Sequence, residues 1–353
     1  MKPGRARNLL VAACCAALLF PVLEPLRGPG RGIAQAADKI TLQGTGATFP
    51  APLYQRWFTE YNQLHPEVQI NYQPLGSGAG VQQFTQQLVD FGASDAAMTD
   101  EEIAQVKPGV VLLPMTAGSV AIAYNLPNAP AELKLSREAY VGIFLGKITK
   151  WNDPKIAAAN PGATMPDLDI TPVARSDGSG TTYVFTNHLS TISDAWKSGP
   201  GTGKSIEWPA GVRGKGNAGV TALIKQTPGA VGYVEYGYAK QTGMPMATLE
   251  NKAGKYIKID AASQTAALSG VELPADLRAW LPDPAGAAAY PIVTYTWLLC
   301  YKTYDKPEVA RTLKEVISYG LSDGQKFSEE LGYIPLPANV VAAVTKAVER
   351  ISP

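Results

Sequence analysis

The chain has 353 residues, 46% of them hydrophobic and 17% charged, with a formal net charge of +1. That is enough chain for two domains. Lys and Arg form no cluster, which argues against nucleic acid as a partner, because sequence-independent affinity for phosphate backbones rests on such clusters. With only His65, His188 and Cys300 beyond the N-terminal stretch, the side chains for a transition-metal site are missing.

Lys2, Arg5 and Arg7 precede the apolar run Leu9 to Phe20, and Ala34-Gln35-Ala36 stands before Ala37, the layout of a secretory signal. Residues 1–36 are therefore expected to be removed, with cleavage near Ala36. An uncleaved anchor is the alternative, since the stretch from Pro21 to Arg31 is long and carries charges. Val11-Ala12-Ala13-Cys14 vaguely resembles a lipoprotein signal, but the five apolar residues ahead of Cys14 are too few for its apolar core. Without residues 1–36 the chain keeps 26 basic and 29 acidic residues, a net charge of −3, so any anion site must be local. Cys300 is then the single cysteine, expected to be a buried structural thiol. No later apolar run is long enough to span a bilayer.

Ile40 to Gln43 predicts a first strand that runs into Gly44-Thr45-Gly46-Ala47-Thr48-Phe49-Pro50, and a helix starts near Ala51 with Leu53, Trp57, Tyr61 and Leu64 at helical spacing. Val68, Ile70 and Tyr72 alternate as in a strand. The chain then reaches Gly76-Ser77-Gly78-Ala79-Gly80 and a second helical run carrying Val81, Phe84 and Leu88. Val89 to Asp95 is a short strand ending in a carboxylate, and Thr99-Asp100-Glu101-Glu102 caps the next helix. Val110 to Met115 and Ser119 to Tyr124 are apolar enough for two buried strands, Ser136 to Leu145 is a capped helix, and Asn152-Asp153-Pro154 opens another.

The apolar run Leu168 to Ala174 leads into Arg175-Ser176-Asp177-Gly178-Ser179-Gly180-Thr181, which opens a helix from about Thr182 to Leu189. The first N–H groups of a helix have no partner inside it and carry a partial positive charge, so such a turn suits an oxyanion. Ser179 and Thr181 add hydroxyl donors, the glycines allow close approach, Arg175 offers a planar fork, and Asp177 is placed to hold it. An ordinary strand-to-helix turn with a solvated arginine is the alternative. Gly199-Pro200-Gly201-Thr202-Gly203-Lys204-Ser205 imitates a nucleotide loop but fails its spacing by one residue, because Ser198 stands where the first glycine belongs. Gly214-Lys215-Gly216-Asn217 leads a helix to Lys225, Thr227 to Val234 turns into a strand, and Tyr290 to Tyr301 is a long apolar strand. Val309 to Leu321 and Val340 to Ile351 are amphipathic helices. The alternation argues an α/β fold with mostly parallel sheets.

Gly44 to Pro52, Asp90 to Asp95, Asp177 to Thr181, Gly214 to Asn217 and Gly229 to Tyr236 resemble, in that order, the motifs of the PstS family, the periplasmic phosphate-binding components of phosphate ABC importers. The match covers nearly all of residues 40–350. The resemblance implies a two-lobed type II periplasmic-binding fold, α/β, with two mixed, mainly parallel sheets joined by crossover strands. Lobe I would comprise 37–116 and 296–353, and lobe II 117–295. It also implies a monomeric periplasmic protein with no cofactor and no enzymatic activity. Such a protein binds inorganic phosphate between its lobes and docks peripherally on the membrane permease subunits PstC and PstA with their ATPase PstB. Carried onto matching positions, the ligand contacts are Thr48, Phe49 through its N–H, Ser77 and Asp95 from one lobe, and Arg175, Ser179, Gly180 and Thr181 from the other. Family members often have a serine pair where this chain has Ser77-Gly78.

Asp95 fits an anion site if it accepts a proton that phosphate carries and sulfate lacks at neutral pH, which would make it a rejection device. The competing readings are a binder of another tetrahedral oxyanion with no transport role, and a phosphatase or serine hydrolase using Ser179. The hydrolase lacks a base, since His188 lies nine residues on, roughly 13 Å along a helix and half a turn out of phase.

Overall fold

Two βαβαβ segments with the same strand order build the protein, and the computed structural model describes residues 39–353. The secretory-signal expectation and its cleavage point lie outside the described residues. The first segment runs through β1 (Ile40–Gly46), helix Ala51–Leu64, β2 (Val68–Gln73), helix Ser77–Thr85 and β3 (Phe91–Ser94), with parallel strands in the order β2-β1-β3. After helix Asp100–Ala104 come β4 (Val110–Tyr124) and the short β5 (Lys134–Leu135). The second segment contains β6 (Thr171–Arg175), helix Gly180–Ile192, β7 (Val212–Gly214), helix Gly216–Gln226 and β8 (Ala230–Glu235), parallel in the order β8-β6-β7. β9 (Thr248–Glu250) and β10 (Tyr256–Ile257) join β5 in a separate small sheet, and β11 (Val293–Tyr301) returns to the first half.

The halves are joined edge to edge by two antiparallel strands, giving the order β2-β1-β3-β11-β4-β8-β6-β7. β4 makes the junction. Its residues Val110 to Ser119 pair with β11, and Val120 to Tyr124 pair with β8. The sequence suggested two strands here; a single strand of 15 residues, buried throughout, takes their place. The reason lies at Thr116-Ala117-Gly118, which breaks the apolar run but not the ladder: these residues pair with Thr296, Tyr295 and Thr294 of β11. Gly118 also makes room for an aromatic ring, since a Cβ there would stand 2.8 Å from Phe49. β11 changes register between Thr296 and Trp297. Such bulges re-aim side chains, and this one sits beside the functional site.

One apolar cluster runs through both halves, with Trp57, Tyr54, Phe84, Phe91, Tyr233, Tyr295 and Trp297 among its largest members. Burying each contributes about 1.5–3 kcal/mol before entropy is counted. The helix Ala51–Leu64 buries Leu53, Tyr54, Trp57, Phe58 and Tyr61 as its spacing predicts, but Leu64 is 65% exposed. Leu88 is equally exposed, because its helix ends at Thr85 and helical spacing no longer directs it. Ser136 and Asp153 cap their helices as expected, and Thr99 forms a reciprocal capping box with Glu102. Cys300 is fully buried in β11, and burial pushes its thiol well up. Among the described residues no helix is long and apolar enough to cross a membrane.

Candidate functional site

Four loops at strand ends meet at one buried spot. The turn after β1 carries Thr48 and Phe49, the turn after β2 carries Ser77, the turn after β6 carries Ser179 to Thr181, and the turn after β7 carries Gly216 and Asn217. Each of these turns opens a helix, so four helix N-termini point inward, as the carboxyl ends of parallel strands require in an α/β sheet. Asp95 follows β3 directly, and Arg175 closes β6. Ser77, Ser179, Thr181 and Asn217 are fully buried, and Asp95, Arg175 and Thr48 nearly so.

Arg175 is held as the sequence suggested. Its Nε and Nη2 donate to the two carboxylate oxygens of Asp177 at 2.8 and 2.5 Å, while Nη1 reaches Thr181 Oγ1 at 3.3 Å. Two-point pairing fixes the guanidinium plane and leaves its remaining Nη hydrogens to face the site. Burial works to raise the Asp177 carboxyl, but the Arg175 hydrogen bonds and charge, with the Gly216 N–H at 2.9 Å, bring it below the usual carboxylate range. The pair is thus ionised, and its charges offset each other.

Asp95 stands differently. Burial pushes its carboxyl from 3.8 to about 7, against the pull of Thr296, Arg175 and Ser77. Thr296 Oγ1, at the β11 bulge, donates to Oδ1 at 2.8 Å, and the Asp95 N–H donates to Ser77 Oγ at 3.2 Å. Ser77 Oγ also lies 3.4 Å from Asp95 Oδ2. Gly180 presses on this pair from the other half: a Cβ there would sit 2.5 Å from Ser77 Oγ and 2.6 Å from Asp95. Ser179 caps its helix through Oγ, which accepts from the Thr182 N–H at 3.0 Å, so its proton is left to point elsewhere.

The turn after β1 is pinned by tyrosines. The carbonyls of Ala47, Thr48 and Phe49 accept from the hydroxyls of Tyr72, Tyr238 and Tyr333 at 2.6, 2.7 and 2.7 Å. Three consecutive carbonyls are thereby drawn away, which leaves the N–H side of the turn toward the site. Asn217 links the halves: its Nδ2 donates to Thr48 Oγ1 at 2.9 Å and to Thr181 Oγ1 at 3.3 Å.

All eight sequence-predicted residues, Thr48, Phe49, Ser77, Asp95, Arg175, Ser179, Gly180 and Thr181, are therefore brought to this spot. Asn217, Thr296 and the three tyrosines were not foreseen. For Asn217 the available signal was the fourth glycine turn opening a helix; for the others the sequence offers none, because each reaches the site from a distant element. The nucleotide-loop imitation at Gly199 to Ser205 remains irregular and no helix follows it directly, the next beginning at Gly216. Its link to the site is the Lys204 carbonyl, which accepts from the Ser179 N–H at 2.8 Å. His188 is fully buried elsewhere, its Nδ1 on the Pro282 carbonyl at 2.5 Å and its Nε2 on the Tyr140 hydroxyl at 2.9 Å. Burial lowers it to about 4, and it does not serve Ser179.

At the rim, Lys204 Nζ meets Glu102 Oε1 at 2.6 Å and Arg278 Nη2 meets Asp100 Oδ1 at 2.8 Å. Both pairs are partly exposed and contribute modestly. Gly78 of the first half donates its N–H to the Gly178 carbonyl of the second at 2.8 Å. A Cβ on Gly78 would stand 3.0 Å from the Gly178 Cα, so the lack of a side chain at this position permits the contact.

A family model described as a PBP superfamily domain matches residues 32–324. The phosphate-binding protein PstS of Pasteurella multocida is 41% identical over 307 residues, covering 86% of this chain and 88% of its own. The protein of the same name from Haemophilus influenzae is 40% identical over 316 residues, covering 89% of this chain and 94% of its own. Among solved structures, a high-affinity periplasmic phosphate-binding protein bound with phosphate superposes with a TM-score of 0.71 at 21% identity, over 87% of this chain and 93% of its own. That likeness bears on the fold.

Proposed function

The chain belongs to the PBP superfamily, among the phosphate-binding proteins PstS, and from that premise we propose that it binds inorganic phosphate and delivers it to an ABC importer. The ligand is held by Thr48, the Phe49 N–H, Ser77 and Asp95 from one side and by Arg175, Ser179, Gly180 and Thr181 from the other. Residues 37–116 and 296–353 act as one lobe and 117–295 as the second, with β4 and β11 crossing between them. PstC and PstA with the ATPase PstB are the membrane partners, the protein works as a monomer in the periplasm, and no covalent step is performed.

The observation that carries this reading is the convergence of four helix N-termini with the clamped Arg175 on one desolvated spot. Neutral N–H and O–H donors supply most of the contacts, and their worth rises as water is excluded. Isothermal calorimetry on ligand-stripped mature protein should show tight phosphate binding and weak sulfate binding. Arg175→Ala should lose most of the phosphate affinity, a change of several kcal/mol on the order of other desolvated charge pairs, and Arg175→Lys should recover little. Equal titrations of wild type and the alanine variant would remove Arg175 from the site.

A further inference from the structure

Two hydroxyls of the site have no acceptor capacity left. Thr48 Oγ1 accepts from the Asn217 side-chain amide at 2.9 Å and from the Asn217 backbone N–H at 3.3 Å. Thr181 Oγ1 accepts from the same amide nitrogen at 3.3 Å and from Arg175 Nη1 at 3.3 Å. A hydroxyl has two lone pairs and one proton. With both pairs turned to N–H groups, only the proton remains to be directed, and it must go to an acceptor outside this network.

The amide that does this cannot turn over. Asn217 Oδ1 accepts from the Glu235 backbone N–H at 3.0 Å, a group that can only donate, so a flipped amide would set NH₂ against N–H. Glu235 is the last residue of β8 and pairs across to Val120 in β4, so the orientation of Asn217 is anchored in the sheet itself. Asn217 is fully buried in the first turn of its helix, where its own carbonyl accepts from the Thr221 hydroxyl at 2.8 Å.

We propose that Asn217 is a positioning residue that sets the Thr48 and Thr181 hydroxyls, one from each half, as obligate proton donors to the bound anion. The inference rests on the phosphate reading of the site. An anion of unprotonated oxygens gains from both donors, whereas a ligand presenting O–H or N–H groups at those points meets protons facing protons. Asn217 thus acts on recognition without touching the ligand.

The test is a double-mutant cycle read by calorimetry with inorganic phosphate. Binding to wild type establishes the underlying reading, and its absence would undo that reading rather than this one. Asn217→Ala takes one of the two donors from each hydroxyl, leaving the backbone N–H of residue 217 on Thr48 and Arg175 Nη1 on Thr181, so both protons are held less firmly and phosphate should weaken roughly 10- to 100-fold. Thr181→Val should cost less in that background than in wild type, because the donor it removes is then aimed by Arg175 alone. Asn217→Asp keeps an oxygen for the Glu235 N–H but offers both threonines an acceptor, so Thr181→Val should then cost nothing further. Equal costs in all backgrounds would overturn the proposal and leave Asn217 a packing residue. If the Asn217 variants fail to fold, NMR of the wild type decides: on adding phosphate the Thr48 and Thr181 hydroxyl protons should shift strongly while the Asn217 side-chain amide protons hold. The reverse pattern would equally overturn it.

Discussion

Asp95 is where charge is least settled, and its consequences are measurable. Burial holds its proton up to about 7, so near neutral pH the carboxyl and a bound phosphate have one proton to share, and either partner can carry it. Sulfate has no proton to bring, so it depends on Asp95 being protonated. Sulfate should therefore compete with labelled phosphate better as pH falls through 7 and hardly at all at pH 8.5, while arsenate competes at both. In Asp95→Asn sulfate competition should be stronger and flat with pH; a flat profile in the wild type would end the proton-sharing account. The sign for stability follows. The folded state keeps the Asp95 proton to higher pH than the unfolded chain, so phosphate-free protein loses stability as pH rises from the ordinary carboxylate range to about 7, by about 4 kcal/mol. Asp95→Asn should make that decline smaller, leaving the part due to Glu235, whose carboxyl burial also raises well above the ordinary range. At this scale the sequence is readable where a residue's role is local: Arg175, Asp177 and Ser179 lie within five residues of one another and constrain each other by spacing alone. The tyrosines that take the carbonyls of Ala47, Thr48 and Phe49 come from 25, 190 and 284 positions away, and only the fold reveals them.

Helix starts were legible for the same reason, since caps and glycine turns are written within four residues. β4 was not, because whether Thr116-Ala117-Gly118 ends a strand depends on a partner, β11, that arrives some 180 residues later. The glycine turns also do more than open helices. Gly180 starts its helix close against the other half, and an added methyl would meet Ser77 and Asp95. Gly180→Ala should leave the secondary structure and the phosphate-free melting temperature close to wild type, because either half can relax outward. If the two halves act as lobes, as proposed above, it should abolish phosphate binding, since that relaxation holds them apart. Circular dichroism with calorimetry checks both, and a variant that binds phosphate within tenfold of wild type would show that the halves need not approach this closely.

For the molecule as a whole, the repeated 2-1-3 strand order makes two like halves, joined in the main sheet through β4 and β11. The contact between Gly78 and Gly178, backbone on backbone at 2.8 Å, is a seam between those halves. The Lys204–Glu102 and Arg278–Asp100 pairs stand at the rim, but the seam itself is backbone, so on the phosphate reading proposed above the expected exit is the parting of the halves. Dissociation then becomes a clock for that parting. Labelled phosphate chased with excess cold phosphate or excess arsenate should leave with one and the same rate constant, unchanged as the chase concentration is raised tenfold. A release that quickens with the competitor would mean the seam lets a second anion in before the first is out.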